Sequence, residues 1–285
     1  MKRLFFIWMM ALLALSSCKT KSTEERAQIM VTIQPLQYFA EAIAGDRYQI
    51  HCMVPQGVSP ETYDPTPQQL MDLSNSQALF YTGYLGFEQL WMQRLQENAP
   101  DTRFFKLSDR MQLIKETETH SGHAHVGGVE PHIWSSPRNA LILVENIYRA
   151  LCDLDSINST YYQSNLELER QKIEETDKQI KSILSQPNRS KAFMIYHPTL
   201  SYFAQEYGLT QLSIEEEGKE PSPGHLKELI ETAREKKVKV IFIQPEFDKR
   251  NATVIAKEIG AELISINPLS YVWHQELIRI AKALN

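Results

Sequence analysis

The sequence predicts an α/β protein of two lobes, each built on a parallel sheet, joined by one long rigid helix and separated by a cleft. Three observations carry this. From residue 29 onward, short apolar runs alternate with amphipathic ones, and strand and helix in strict turn imply a parallel sheet covered on both faces. Residues 159–185, STYYQSNLELERQKIEETDKQIKSILS, hold no Gly or Pro and many Glu, Lys and Gln. At 1.5 Å per residue they make one unbroken helix of ~40 Å. After QPNRS at 186–190 the alternation resumes. Two Rossmann-like halves of similar plan therefore flank a single stiff connector, and open parallel sheets of this kind bind ligands at the carboxyl ends of their strands.

The elements follow in order. Lys2 and Arg3 precede an apolar run from Leu4 to Leu15, too short for the ~20 residues of a membrane span, so residues 1–17 read as an export signal. The signal ends in LSSC, the Leu, small, small, Cys order of a bacterial lipoprotein cleavage box, in which Cys18 becomes the lipidated N-terminus. Residues 18–28 are then the lipid-bearing end and a polar tether, and the chain sits at a membrane without spanning it. The first lobe, 29–155, reads as strand IMVTI, helix QYFAEAIAG closed by Gly45, strand YQIHCMV, a helix from Pro67 to Ser76, strand ALFYTG, a helix from Phe87 to Asn98 and strand RFFKLS. A His-rich loop at 120–132 leads to helix PRNALILVENIYRALCDL, which opens on Pro137 as a first-turn proline should. The linking helix occupies 156–188. The second lobe, 189–285, repeats the plan: KAFMIY, LSYFAQEYG, LTQLSI, GHLKELIETAREKK, VKVIFIQ, KRNATVIAKEIG, AELISI and HQELIRIAKAL.

Removing residues 1–17 leaves 268 residues and takes Lys2 and Arg3 with it, moving the formal charge from −5 to −7. A mildly acidic chain argues against nucleic acid as a partner and fits life outside the cytoplasm. Cys52 and Cys152 stand at no motif spacing and read as structural apolar side chains.

Four of the eight histidines, His120, His123, His125 and His132, fall within HSGHAHVGGVEPHIW. Imidazole is the commonest protein ligand for transition metals, so the stretch points to a divalent cation. The best ligand candidates lie after strands: Glu61 in VPQGVSPETYDPTP, His132 in VEPHIW and His197 in YHPTL. Each has a proline nearby that stiffens its backbone. Two histidines and a carboxylate are also the zinc set of hydrolases, which makes an enzyme the competing class. Against it, the chain has no HExxH pair, no GxSxG and no phosphate loop. A surface adhesin would need an exposed partner site that no motif specifies.

The segments VTIQPLQYFAEAIAGDRYQI, GVSPETYDPTPQQLMDLSNSQALFYTG, EPHIWSSPRNA, YHPTLSYFAQEYGL and EEEGKEPSPGHLKELI resemble those of the zinc and manganese substrate-binding lipoproteins of ABC transporters, some of which are also described as adhesins. The resemblance runs in register from about residue 29 to the C-terminus. It implies two α/β lobes bridged by a rigid helix, a metal held between them for delivery to a membrane permease, and a monomer anchored through its lipid at the extracytoplasmic face of a membrane. His132 matches the histidine of the family's PHxW segment and His197 that of its HPxxxYF segment. Glu61 takes the place of the family's usual first histidine, Asn267 in INPLS that of an aspartate found in many members, and Gln244 that of a common glutamate, with Glu246 close by.

These departures have chemical consequences. Glu61 lowers the charge of an occupied site from +2 to +1 and adds a hard oxygen. Two nitrogens and one carboxylate still make an accepted zinc set, with Asn267 or water completing the tetrahedron, while loss of an aspartate disfavours manganese. Zn²⁺ is therefore the expected cargo, with Mn²⁺ or Fe²⁺ as the alternative. His120, His123 and His125 resemble the family's His-rich insertion and offer a secondary metal loop or a solvated linker. The run Glu215, Glu216, Glu217 offers either an acid that reaches the cleft or a solvated loop, and the loop is the expectation because three adjacent acids cannot all face one point. His51, His225 and His274 show no ligand spacing and read as structural or surface residues. Tyr63, Trp134, Tyr196 and Trp273 either wall the cleft or pack the lobes.

Overall fold

In a computed structural model of the chain, residues 26–115, 128–187, 189–215 and 219–285 are described. Cys18, His120, His123, His125, Glu216 and Glu217 lie outside them. The first lobe runs β1 (Gln28–Val31), α1 (Gln34–Ala44), β2 (Gln49–Cys52), α2 (Pro67–Ser74), β3 (Ala78–Tyr81), α3 (Gly86–Asn98), β4 (Arg103–Lys106) and α4 (Pro137–Leu154). The connector is α5 (Ser159–Leu184), preceded by a short 3-10 turn at Ser156–Asn158. The second lobe runs β5 (Ala192–Ile195), α6 (Ser201–Tyr207), β6 (Thr210–Ser213), α7 (Pro223–Glu235), β7 (Val240–Ile243), α8 (Arg250–Ile259), β8 (Glu262–Ser265) and α9 (Trp273–Ala283). Helix α1 starts earlier than the apolar pattern indicates, since Pro35 fits a first turn and Ile33 supplies no side-chain cap to announce it.

Both sheets are parallel throughout, ordered β2-β1-β3-β4 and β6-β5-β7-β8, so the second lobe repeats the first strand for strand. In each sheet the strand that comes first in sequence holds an inner position, and later strands add on both sides of it. In open parallel sheets whose strand order reverses in this way, the crevice for a ligand lies at the strands' carboxyl ends.

Apolar spacing explains the packing. Helix α1 buries Leu36, Phe39, Ala40 and Ile43, a stripe at three- and four-residue steps. Helix α5 buries Tyr162, Leu166, Glu169, Ile173, Thr176, Ile180 and Leu184 at the same steps, which lays one seam along its whole length. Helices α1, α4 and α9 pack on that seam. A single apolar core therefore passes from Val31 and Phe80 in the first sheet, past α4 and α5, to Phe193 and Phe242 in the second. A smaller core, with Ile241 and Ile255, lies on the other side of the second sheet.

Two features tie the lobes at this seam. Trp273, at the start of α9, is buried against Phe39 of the first lobe at 5.1 Å between ring centroids, and its Nε1 donates to the Trp134 carbonyl at 2.7 Å. In return, Trp134 Nε1 donates to the Pro268 carbonyl of the second lobe at 2.9 Å. The polar members of the α5 stripe form a junction: Glu169 Oε1 lies 2.9 Å from His274 Nε2, which is 2.8 Å from the Tyr38 hydroxyl, while Thr176 meets His274 Nδ1 at 2.7 Å. Burial pushes the Glu169 carboxyl up, but the hydrogen bond and charge of His274, and then those of Lys172, outweigh it and hold the group below the usual glutamate range.

Trp273→Ala should cost roughly 3–5 kcal/mol, as for other buried aromatics, and should shift one cooperative denaturant transition rather than split it. Separate unfolding of the two lobes would contradict a shared core. Because its folded-state pKa is depressed, Glu169 contributes stability that is present above the ordinary carboxylate range and lost as pH falls through the folded value. Glu169→Gln should therefore flatten the acid limb of stability against pH, read by thermal unfolding at a series of pH values.

Candidate metal centre

Glu61 sits in the loop that leaves β2. Tyr63 and the α2 cap hold that loop: the Tyr63 hydroxyl and Thr66 N–H both donate to Gln69 Oε1, at 2.5 and 2.9 Å, and Gln69 Nε2 donates back to the Met53 carbonyl at 2.5 Å. The Glu61 carboxylate meets the first residue of α3, with Oε2 accepting from Gly86 N–H at 3.1 Å, at the positive end of that helix. A glycine is required there, because a Cβ on residue 86 would come within 2.4 Å of the Glu61 carbonyl and 2.8 Å of its Oε2. The helix start is itself anchored by buried Glu88, which accepts from Thr82 N–H, the Thr82 hydroxyl and Gly83 N–H at 3.0, 2.7 and 2.6 Å. The other Glu61 oxygen, Oε1, is buried, accepts no hydrogen bond among the described residues, and lies 4.0 Å from His132 Nε2.

His132 caps a 3-10 turn, Ile133–Ser135, that leads straight into α4. Its Nδ1 is 2.5 Å from Glu130 Oε1. His197 follows β5 closely, and its Nδ1 is 2.6 Å from Glu215 Oε1. All four side chains are buried. A carboxylate only accepts, so Nδ1 is the donor in each pair and Nε2 becomes the ring atom that can ligate. This is the carboxylate–histidine arrangement that orients imidazoles in metal sites. The two rings stand 5.1 Å apart at 77°. Glu130 also reaches across the lobes, with Oε2 accepting from the Ser201 hydroxyl at 2.6 Å and its carbonyl from the Tyr202 hydroxyl at 2.9 Å, both on α6.

Glu61, His132 and His197 each present one ligand atom within 4.8 Å of the others. A tetrahedral zinc with bonds of ~2.0–2.2 Å separates its ligands by about 3.4 Å, so the set closes on an ion by movements of about 1 Å. Trp134 and Leu269 are among the apolar walls of the same cavity, while Tyr63 stands edge-on to Phe87 and Tyr196 stacks on Phe247.

Asn267 lines a pocket next to this one rather than the cavity that holds the three side chains. It faces a neighbouring pocket with Gln34 and Gln56, its Oδ1 accepts from Leu269 N–H at 3.1 Å, and its own N–H donates to Glu276 at 2.7 Å. The amide is used to close its own turn, and the cavity wall at this point is Pro268 and Leu269 instead. Glu215 corrects the expectation of a solvated acidic run: it ends the β6 segment inside the protein, against His197. Glu130 is not singled out by the sequence reading, and its signal is an acid two residues before a candidate ligand. Gln244, buried after β7, donates to the His197 carbonyl at 2.6 Å and fixes that residue's backbone. The residues flanking the His-rich loop are pinned near the site, Lys115 pairing with Val129 and Glu130 N–H donating to the Ile114 carbonyl at 3.0 Å. Cys52 and Cys152 are free thiols.

Residues 29–276 match the family model described as zinc-uptake complex component A periplasmic, ZnuA. A crystal structure of ZnuA superimposes with a TM-score of 0.83 at 35% identity, covering 90% of this chain and 97% of that one. The iron ABC transporter substrate-binding lipoprotein MtsA of Streptococcus pyogenes serotype M1 is 29% identical over 273 residues, 91% of this chain and 86% of its own length. The manganese ABC transporter substrate-binding lipoprotein PsaA of Streptococcus anginosus is 27% identical over 266 residues, 89% of this chain and 84% of its own. No described helix is long and apolar enough to cross a membrane. On a match of this extent, the chain belongs to the periplasmic zinc-uptake component A family, metal substrate-binding proteins of ABC transporters and not enzymes.

Proposed function

We propose that this chain captures Zn²⁺ outside the cytoplasm through Glu61, His132 and His197 and hands it to an ABC permease. One observation carries the reading: a histidine from each lobe, each braced at Nδ1 by a buried carboxylate, meets Glu61 in one cavity. Nitrogen ligands with a single carboxylate suit zinc's borderline character. Cys18 carries the lipid that keeps the protein at the membrane surface, and a single copy docks on the permease. His120, His123 and His125 gather ions for the site, in keeping with the pairing of the residues that flank their segment, Lys115 and Val129, next to Glu130.

A second reading within the same family has Mn²⁺ or Fe²⁺ as the cargo. The hard oxygen that Glu61 contributes favours it, as do the relatives named for iron and manganese.

His132→Ala and His197→Ala should each abolish tight Zn²⁺ binding in calorimetric titration against a competing chelator. An unchanged Kd in either variant would count against the assignment. Glu61→His should retain or tighten zinc while weakening manganese, since it exchanges a hard oxygen for a borderline nitrogen. Paired titrations with the two metals read this directly, and the reverse order would remove Glu61 from the ligand set.

A further inference from the structure

The cavity that gathers Glu61, His132 and His197 has one more ionisable group in its wall, Glu246. It lies in the turn leaving β7, between two residues registered on His197. On one side, Gln244 brackets the His197 backbone, donating to its carbonyl at 2.6 Å and accepting from its N–H at 3.4 Å. On the other, the Phe247 ring lies 5.6 Å from the His197 ring at 32° and stacks on Tyr196 at 5.0 Å. The turn cannot drift without dragging a candidate ligand with it. Its side chain lines the same cavity as the His197 ring. Among the described residues no Lys or Arg forms an ion pair with this acid.

We propose that Glu246 is the fourth protein ligand of the bound cation. This deepens the carrier reading above and rests on it. Three side chains leave a tetrahedral ion one ligand short, and Asn267 lines the neighbouring pocket instead of this cavity. Among the cavity's lining residues, Glu246 is the remaining carboxylate or imidazole. It stands outside the group whose ligand atoms lie within 4.8 Å of one another, so it joins by rotation of its own half-buried side chain. Two carboxylates then cancel the ion's charge, which Glu61 alone halves. That suits transfer out of water, since an uncompensated charge in a low-dielectric cleft is costly. A second hard oxygen also widens the range of cations the site accepts toward manganese.

The test uses the full-length chain purified in detergent, as wild type, Glu246→Gln and His132→Ala, titrated with Zn²⁺ and with Mn²⁺. The wild type is also crystallised with zinc and the ion located by anomalous scattering. Even partners outside the first coordination shell cost about 10–100-fold in affinity, so Glu246→Gln should weaken Mn²⁺ by at least ~10-fold, and Zn²⁺ by less. In the zinc-loaded structure a Glu246 oxygen should lie at ~2.0–2.2 Å from the ion. If Glu246→Gln binds both metals as the wild type does, while His132→Ala loses them, this proposal falls and the carrier reading stands. If His132→Ala binds as tightly as the wild type, both fall.

Discussion

His132 and His197 belong to different lobes, yet their rings stand only 5.1 Å apart, so the site depends on the lobes being held in register. The seam along α5 provides that restraint. Its buried stripe is shared by helices of both lobes, and the apolar core it carries is continuous from one sheet to the other. A hinge between such lobes would have to open water into packed Trp134, Trp273 and Phe39, which makes wide domain closure unfavourable. On the proposed reading, metal capture would then call for loop and side-chain shifts of about 1 Å rather than closure of the lobes.

Electrostatics supports the same picture from closer in. Around two imidazoles the fold places four carboxylates: Glu61, Glu130, Glu215 and Glu246. Two brace the rings and two face the cavity. Burial disfavours the charged form of a carboxylate, and on the proposed reading a divalent cation would offset that cost for the two that face the cavity. Glu130 has a second part in this arrangement. One of its oxygens orients a ring from the first lobe and the other holds Ser201 on α6 of the second, so a ligand and the lobe interface share one side chain.

Much of the fold was legible in the sequence. Strand and helix patterns are local, and strands such as Ala192–Ile195 and Val240–Ile243 are buried throughout, so their apolar runs show directly. The helix over 159–184 could be read from the absence of breakers and its steps of three and four. Element ends were less legible where no cap announces them, as at Ile33 before α1. Glu61 and His197 stood out because ligand chemistry coincides with a segment that leaves a strand, and His132 because it closes the His-rich stretch beside a proline.

What the sequence alone determined is therefore whatever depends on neighbours along the chain: the alternation of elements, the stiff connector, and the residue types able to bind metal. Tertiary structure decided which of those residues meet. Asn267 is the candidate in the chain and Glu246 only a neighbour of Gln244, yet the first lines an adjoining pocket while the attachment of the β7 turn to His197 brings the second to the cavity. Glu215 looks like part of a solvated acidic run until the end of β6 carries it inside to a histidine 18 positions away. Such choices rest on contacts between segments far apart in sequence, whose distances are set by the packing of both lobes on one helix.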